Sequence, residues 1–298
     1  VTVNLPDRKK EIPMKKNPWE IPVLKAGGEA GFSRRSFLSR AAVAGAASLL
    51  PISLLAADQD QAQSARGNDD ARDDGGLRPG DRDILLAAEI AEALAVTTYS
   101  NIINTAPFFG HLAGDDQGYL RAALQEEMSH YLLEQSVTAQ PTPFTRFFYP
   151  QHMFDDAQTT LNTLVTLEDA FIAAYLVGVR RFSTANFRVT AARIMGIESD
   201  HRTLARVVGP GVAAQDGGPI EFITGIQGVA ESVDPPNNNG YERTLKWNRI
   251  EQAVAALTPF VDQTAAAAAG FDTGRSFSFE PFTPTLPSPL GEFISFQG

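Results

Sequence analysis

One pattern limits what this chain can fold into more than any other. Glu92 and Tyr99 precede Glu127-x-x-His130, and Glu168 and Tyr175 precede Glu198-x-x-His201, in the same order. The first glutamate leads its Glu-x-x-His by 35 residues in one half and by 30 in the other, and glutamate to tyrosine is seven residues in both. Residues i and i+3 share a helix face, and seven residues are two turns. With four histidines in 298 residues, roughly 0.2 Glu-x-x-His patterns arise by chance. Two of them, each led by the same partners, point to a duplicated helical hairpin. The repeated positions are polar ones on otherwise apolar faces.

The surrounding periodicity supplies the helices. Ile84, Leu85, Ala88, Ala91, Ala95, Ile102 and Ile103 recur near helical spacing, and Pro107 closes that run. Further helices are expected over 115–139, 156–182 and 184–208, the last stopping before Gly209-Pro210-Gly211. Short turns join the first and second helices and the third and fourth, so each pair is expected to be antiparallel. The middle connection, 139–156, holds three prolines and the cluster Phe144, Phe147, Phe148 and Tyr149. Eighteen extended residues reach roughly 60 Å, enough to run the length of a 25-residue helix of roughly 38 Å. A fifth helix is expected over 241–269. The Phe/Pro-rich tail, 270–298, is expected to be extended and to lie against the helices. The fold class is therefore all-α: a four-helix bundle with one long crossover, plus a C-terminal helix and an extended tail. The domain division is 1–57 leader, 58–80 linker, 81–208 bundle and 209–298 C-terminal helix and tail.

The leader reads as an address. Ser33-Arg34-Arg35-Ser36-Phe37-Leu38 precedes an apolar run over 41–57, which fits a twin-arginine export signal read at Arg34 and Arg35. That run is too short and too weakly apolar for a good membrane span. Ala56-Ala57 supplies small residues, but Leu55 breaks an Ala-x-Ala cleavage site, so an uncleaved N-terminal membrane anchor stays open. Met14-Lys15-Lys16 is the expected translation start. Residues 58–80 hold almost no large apolar side chain and are expected to be a flexible tether. The expected location is periplasmic or otherwise extracytoplasmic.

Charge and composition exclude several functions. Residues 1–57 carry nine Lys/Arg against four Asp/Glu, whereas the remainder carries 16 against 31. So acidic a domain is a poor binder of nucleic acid. Cysteine is absent, which removes disulfides, thiolate zinc sites and iron–sulfur clusters. No nucleotide loop or nucleophile motif occurs where a strand–turn–helix would carry it. Neither haem nor nucleotide is expected as a cofactor.

Four carboxylates and two imidazoles in an apolar core are costly unless compensated, and two divalent cations would compensate them. Glu92, Glu127, His130, Glu168, Glu198 and His201 are the expected metal ligands for two iron or manganese ions. Tyr99 and Tyr175 are either plain core aromatics or donors of a hydrogen bond to ligand carboxylates. Glu126 is read as a solvated neighbour of Glu127. Glu89 is read either as a partner of the ligands or as part of the solvent face. His111 and His152 are placed in surface loops, and Asp200 faces solvent. No catalytic residue is assigned.

On Glu92, Tyr99, Glu127, His130, Glu168, Tyr175, Glu198 and His201, the chain resembles the ferritin-like domain family, specifically its exported, desiccation-related type. The resemblance covers 81–208. It implies a metal-binding bundle with a di-iron or di-manganese centre, and ferroxidase or oxygen- or peroxide-directed chemistry in stress protection. The alternative is a non-enzymatic structural or stress-protective bundle. Partners are then metal ions, together with a homo-oligomer or an extracytoplasmic protein met through the C-terminal tail.

Overall fold

The computed structural model describes residues 77–208 and 247–285. Arg34, Arg35, the leader, most of the linker, residues 209–246 with the start of the helix expected over 241–269, and the end of the tail lie outside the described residues. The described residues are helix-rich, and the first four helices among them pack as a helical bundle. Helix α1 is Pro79–Thr105, α2 Gly114–Thr138, α3 Ala157–Arg181 and α4 Ala185–Val207. A single 3-10 turn, Phe109–His111, sits between α1 and α2.

The ends of these helices follow from local chemistry. Pro79 occupies the first turn of α1, where its missing N–H costs nothing and its fixed φ favours entry. Asp115 and Asp116 stand in the first turn of α2 and oppose the positive end of the helix dipole. That helix stops at Ala139, whose φ of 54° is left-handed, just before Pro141. Asp156 caps α3 by accepting from Thr159 N at 2.8 Å, and Thr184 caps α4 by accepting from Phe187 N at 3.2 Å.

Side-chain pairs far apart in sequence fix the directions. Asp81 at the start of α1 accepts from Ser183 N at 2.8 Å, just past the end of α3. Tyr99 of α1 meets Glu168 early in α3, and Glu92 meets Tyr175 later in it. Helices α1 and α3 are therefore antiparallel. Thr138 at the end of α2 donates to Glu89 near the start of α1 at 2.9 Å, so α1 and α2 are antiparallel as well. Helices α2 and α3 then run the same way, and 139–156 must return from one end of the helices to the other.

That connection is not all irregular, and it adds one two-stranded sheet to the helix-rich fold. Its residues Arg146–Pro150 form β1, which pairs antiparallel with β2, Phe271–Ser278. Register matches Phe147 with Phe277 and Tyr149 with Asp272, with an irregularity between Phe147 and Tyr149. Alternation places Phe147 and Tyr149 on the buried face and Arg146 outside. The Tyr149 hydroxyl lies 3.0 Å from Thr98 Oγ1 of α1. Its ring meets Phe154 and Phe277 edge-on at centroid distances of 5.0 and 5.3 Å. The aromatic residues of the connection thus help build the core.

The helix expected over 241–269 also divides. Helix α5 is Ile250–Val261 and α6 is Gln263–Ala268. Asp262 between them takes an extended backbone, and its side chain accepts from Ala265 N at 2.8 Å. A residue that caps the next helix cannot also continue the previous one. After β2 the chain runs along α2, where Phe279 meets Tyr131 at 4.7 Å and Thr285 N donates to Gln125.

By length and composition α3 would be apolar enough to cross a membrane, but two thirds of its apolar stretch is buried within the fold. It reads as a core helix carrying Glu168 and Asp169 inward.

Gly178 of α3 sits where α4 comes close. A Cβ there would lie 2.9 Å from Cε2 of Phe182 and 3.3 Å from Cβ of Ala191. Removing a helix-interior glycine normally gains about 1 kcal/mol, whereas overpacking a filled core costs about 1–3 kcal/mol. The Phe182 ring is itself buried, so packing decides the sign for a large side chain. Gly178→Leu is expected to lower the urea midpoint of unfolding. An unchanged or raised midpoint would show that α3 and α4 do not close on each other at this glycine.

Candidate metal centre

Glu92, Glu127, His130, Glu168, Glu198 and His201 come from four helices and 110 positions of chain, and the fold brings all six together. The four carboxylates are essentially inaccessible, His201 is 3% exposed, and the side chain of His130, at 12%, is the most exposed of the six. Two overlapping sets emerge. Glu92, Glu127, His130 and Glu198 form one, and Glu127, Glu168, Glu198 and His201 form the other. Within each set the candidate ligand atoms lie within 4.8 Å of one another, and Glu127 and Glu198 belong to both.

The distances are those of converging ligands. His130 Nδ1 lies 3.6 Å from Glu92, 3.5 Å from Glu127 and 3.3 Å from Glu198. His201 Nδ1 lies 2.9 Å from Glu127 and 3.4 Å from Glu198. Proximity of imidazole Nδ1 to glutamate Oε atoms alone would suit ion pairing, but both Nδ1 atoms lack a hydrogen bond of acceptable geometry. So do both oxygens of Glu127 and of Glu198, and one oxygen each of Glu92 and Glu168. Buried polar atoms are seldom left in this state, and here the orphaned atoms are the ones that face one another.

Each tyrosine supports the opposite half. The Tyr99 hydroxyl donates to Glu168 Oε1 at 2.7 Å, and the Tyr175 hydroxyl reaches Glu92 Oε1. Spacing places each tyrosine on the face of its own helix's glutamate, and antiparallel packing carries it to the other one. Tyr175 also lies 2.7 Å from Glu134 Oε1. One hydroxyl hydrogen serves only one of these two carboxyls, so the other must bring a proton of its own.

Electrostatics agree. Burial, then repulsion from Glu127 and Glu198, pushes Glu92 and Glu168 well above the carboxylate range. Burial does the same to Glu134. For Glu127, burial works against ionisation, but the His201 charge and contacts from both imidazoles outweigh it and hold the carboxyl low. Burial would depress both histidines, yet the surrounding carboxylates lift them well above the ordinary value.

Several partners escaped the sequence pattern. Glu126 is not merely solvated: its Oε2 lies 2.9 Å from His201 Nε2, the ring nitrogen turned away from the carboxylate pair. Its exposure is partial, 37% for the side chain. Glu89 is fully buried and accepts from Thr138, which removes the solvent-face alternative. Glu134 was readable, because it stands seven residues after Glu127, the same two-turn spacing that relates Glu92 to Tyr99. Asp169 Oδ1 accepts from Arg202 Nη1 at 2.7 Å in a buried ion pair beside the second set. Asp200, His111 and His152 are exposed, away from the centre.

Burial raises the Glu89 carboxyl from 4.5 to about 7, despite the Thr138 hydrogen bond that lowers it. A folded-state value above the unfolded one favours the native state fully below the unfolded pKa. That advantage is lost as pH rises through the folded one. In metal-free protein, Glu89 should therefore cost on the order of 3 kcal/mol of stability between about pH 4.5 and pH 7. Glu89→Gln should flatten this part of the profile and stabilise the protein at pH 7.5 relative to pH 5. Parallel urea titrations at the two pH values test it; an unchanged difference would mean that Glu89 ionises freely in the native state.

Comparison with known proteins places this geometry in context. No curated protein and no solved structure matches the chain. Residues 80–209 match the family model described as the ferritin-like domain, a span that contains all of α1 to α4 except Pro79 and every residue of both carboxylate–histidine sets.

Proposed function

We propose that the protein holds two divalent cations, iron or manganese, at these six residues, within a ferritin-like four-helix bundle closed by one long crossover. The observation that carries this reading is the sharing of Glu127 and Glu198 by two ligand sets whose facing atoms have no other hydrogen-bond partner. Glu127 and Glu198, which belong to both sets, would help hold both ions. Glu92 with His130 would complete one, and Glu168 with His201 the other. A donor set of carboxylates and imidazoles without thiolate suits iron or manganese, the choice in the cell following availability. Such a pair, when bound, supplies redox equivalents for oxygen or peroxide chemistry in stress protection.

The chain's own residues have distinct tasks. Tyr99 and Tyr175 hold Glu168 and Glu92 in place from across the bundle, as supporting hydrogen bonds do around ligand carboxylates. Glu126 holds the outer nitrogen of His201 and fixes which nitrogen faces the centre. The apolar walls of α1 and α3 keep bulk water from the carboxylates.

Native-state metal analysis tests the centre. About two iron or manganese ions per chain are expected, in line with two sets that share two ligands. His130→Ala should remove one ion and weaken the other through the shared carboxylates, and His152→Ala should leave metal content unchanged. Full stoichiometry and affinity in His130→Ala, or a metal-free wild type, would replace the di-metal reading with a structural, non-enzymatic bundle.

The location rests on the leader. The pair Arg34-Arg35 ahead of the apolar run supports twin-arginine export, a route that carries folded proteins and would let metal be inserted beforehand. Replacing both arginines by lysine should strand the protein in the cytoplasm. Fractionation showing unchanged export would refute this address.

A further inference from the structure

The two halves of the duplication differ in what surrounds them. Glu134 follows His130 by four residues, but the matching position after His201 is Ala205, a buried apolar residue. On the Glu134 side the helices border a cleft with about 40 Å³ of space for the centres of water-sized molecules, beyond the roughly 10–15 Å³ that a single water needs. Its walls come from all four bundle helices and the first residue of α5, with Ile84, Leu133, Phe182, Phe187, Ile194 and Ile250 among them. Glu134, Tyr175 and Thr190 are the lining residues with polar side chains.

The polar end has an unmet need. Glu134 is 3% exposed, and while its Oε1 meets Tyr175, its Oε2 has no hydrogen-bond partner. Leu133, Ala174, Phe187 and Thr190 are half-buried and border the opening. Along α4 the lining runs from Phe187 to Ile194, seven residues or about 10 Å of helix. This length suits a compact molecule.

We propose that this cleft binds one neutral apolar molecule bearing a single hydroxyl, seated with that hydroxyl on Glu134 Oε2 and its hydrocarbon against Phe182 and Phe187. A hydroxyl can donate to an ionised carboxylate or accept from a protonated carboxyl, so it satisfies Oε2 in either state. A pure hydrocarbon leaves that oxygen unpaired, and should bind on the order of tenfold more weakly. An anionic ligand would lose its hydration among these apolar walls, and the lining offers it no cationic side chain in return. The cleft is built by residues outside the six candidate ligands, so the inference stands apart from the metal reading. Because Tyr175 bonds both Glu134 and Glu92, a bound molecule would lie one hydroxyl away from the carboxylate centre.

The test uses the full chain stripped of metal with chelator, and calorimetric titration with 4-propylphenol, propylbenzene and 4-propylbenzoate. The phenol should bind saturably at one site, propylbenzene about tenfold more weakly, and the benzoate not detectably. Ala174→Phe and Thr190→Phe, at half-buried positions that tolerate added volume, should each reduce phenol affinity at least about tenfold by filling the cleft. Glu134→Leu should bring the phenol and propylbenzene to equal affinity. Absent saturable phenol binding, benzoate binding as tight as the phenol's, or unchanged affinity in both filling variants with native circular dichroism would overturn the proposal. Titration of the same metal-free protein with Mn(II) reads the carboxylate centre separately, so either conclusion can fail while the other stands.

Discussion

The protein depends on the burial of six glutamates with only two imidazoles among them. Glu89, Glu92, Glu127, Glu134, Glu168 and Glu198 all lie inside the bundle, with His130 and His201 as the neighbouring bases. Two imidazolium charges cannot balance six carboxylates, and a buried unpaired charge is costly enough that the group takes up a proton instead. The fold meets this demand in layers. Glu127 stays ionised between the two histidines, whereas Glu92, Glu134 and Glu168 are driven toward the neutral form. Tyrosine hydroxyls and Thr138 then take up the outer oxygens. What no side chain satisfies is the inward set of atoms, and cations are the partners that such a set fits.

Much of this was legible because the chemistry is local to each helix. Spacing of three and seven residues places side chains on one face whatever the helix packs against, so Glu127 with His130 and Glu92 with Tyr99 could be grouped from the sequence. Helix ends were legible for the same reason: Pro79, Asp156 and Thr184 act within their own turn. Pairing across the bundle is a different matter. That Tyr99 serves Glu168, and Tyr175 serves Glu92, follows from the antiparallel placement of α1 against α3, which no single helix encodes. The sheet was hidden more deeply, since β1 and β2 stand more than a hundred residues apart and neither has a local partner. Phe147 and Tyr149 signalled burial without signalling against what.

Duplication explains the position of the centre but not its surroundings. The ligands repeat, while their neighbours diverge: Glu89 and Glu134 have Val165 and Ala205 in the corresponding places. Asp169 and Arg202, beside Glu168 and His201, have no ionic counterparts next to Glu92 and His130. One side is therefore braced by a buried ion pair, and the other carries extra acid and an apolar cleft. A buried ion pair contributes little net stability but strongly penalises loss of either partner, which fits a rigid wall. An acidic side with unpaired oxygen and open volume has the opposite character and is the place where a ligand can be accommodated.

The crossover and tail complete the argument by what they leave open. Strand β1 packs Tyr149 onto α1 at Leu94 and Thr98, and β2 closes over it with Phe277. Helix α5 adds Phe260 to the same aromatic group at 5.9 Å. Tyr149, with Phe277 and Phe260 around it, is thus seated on α1 at Leu94 and Thr98. The cleft lies at the other end, around Ile84, Leu85 and Ala88, where α5 offers only Ile250. A sheet that seals one side of the bundle relieves α1 of solvent there and holds Tyr99 and Glu92 in register. On the face between α2 and α4, His130 keeps its small exposure and Glu126 meets His201.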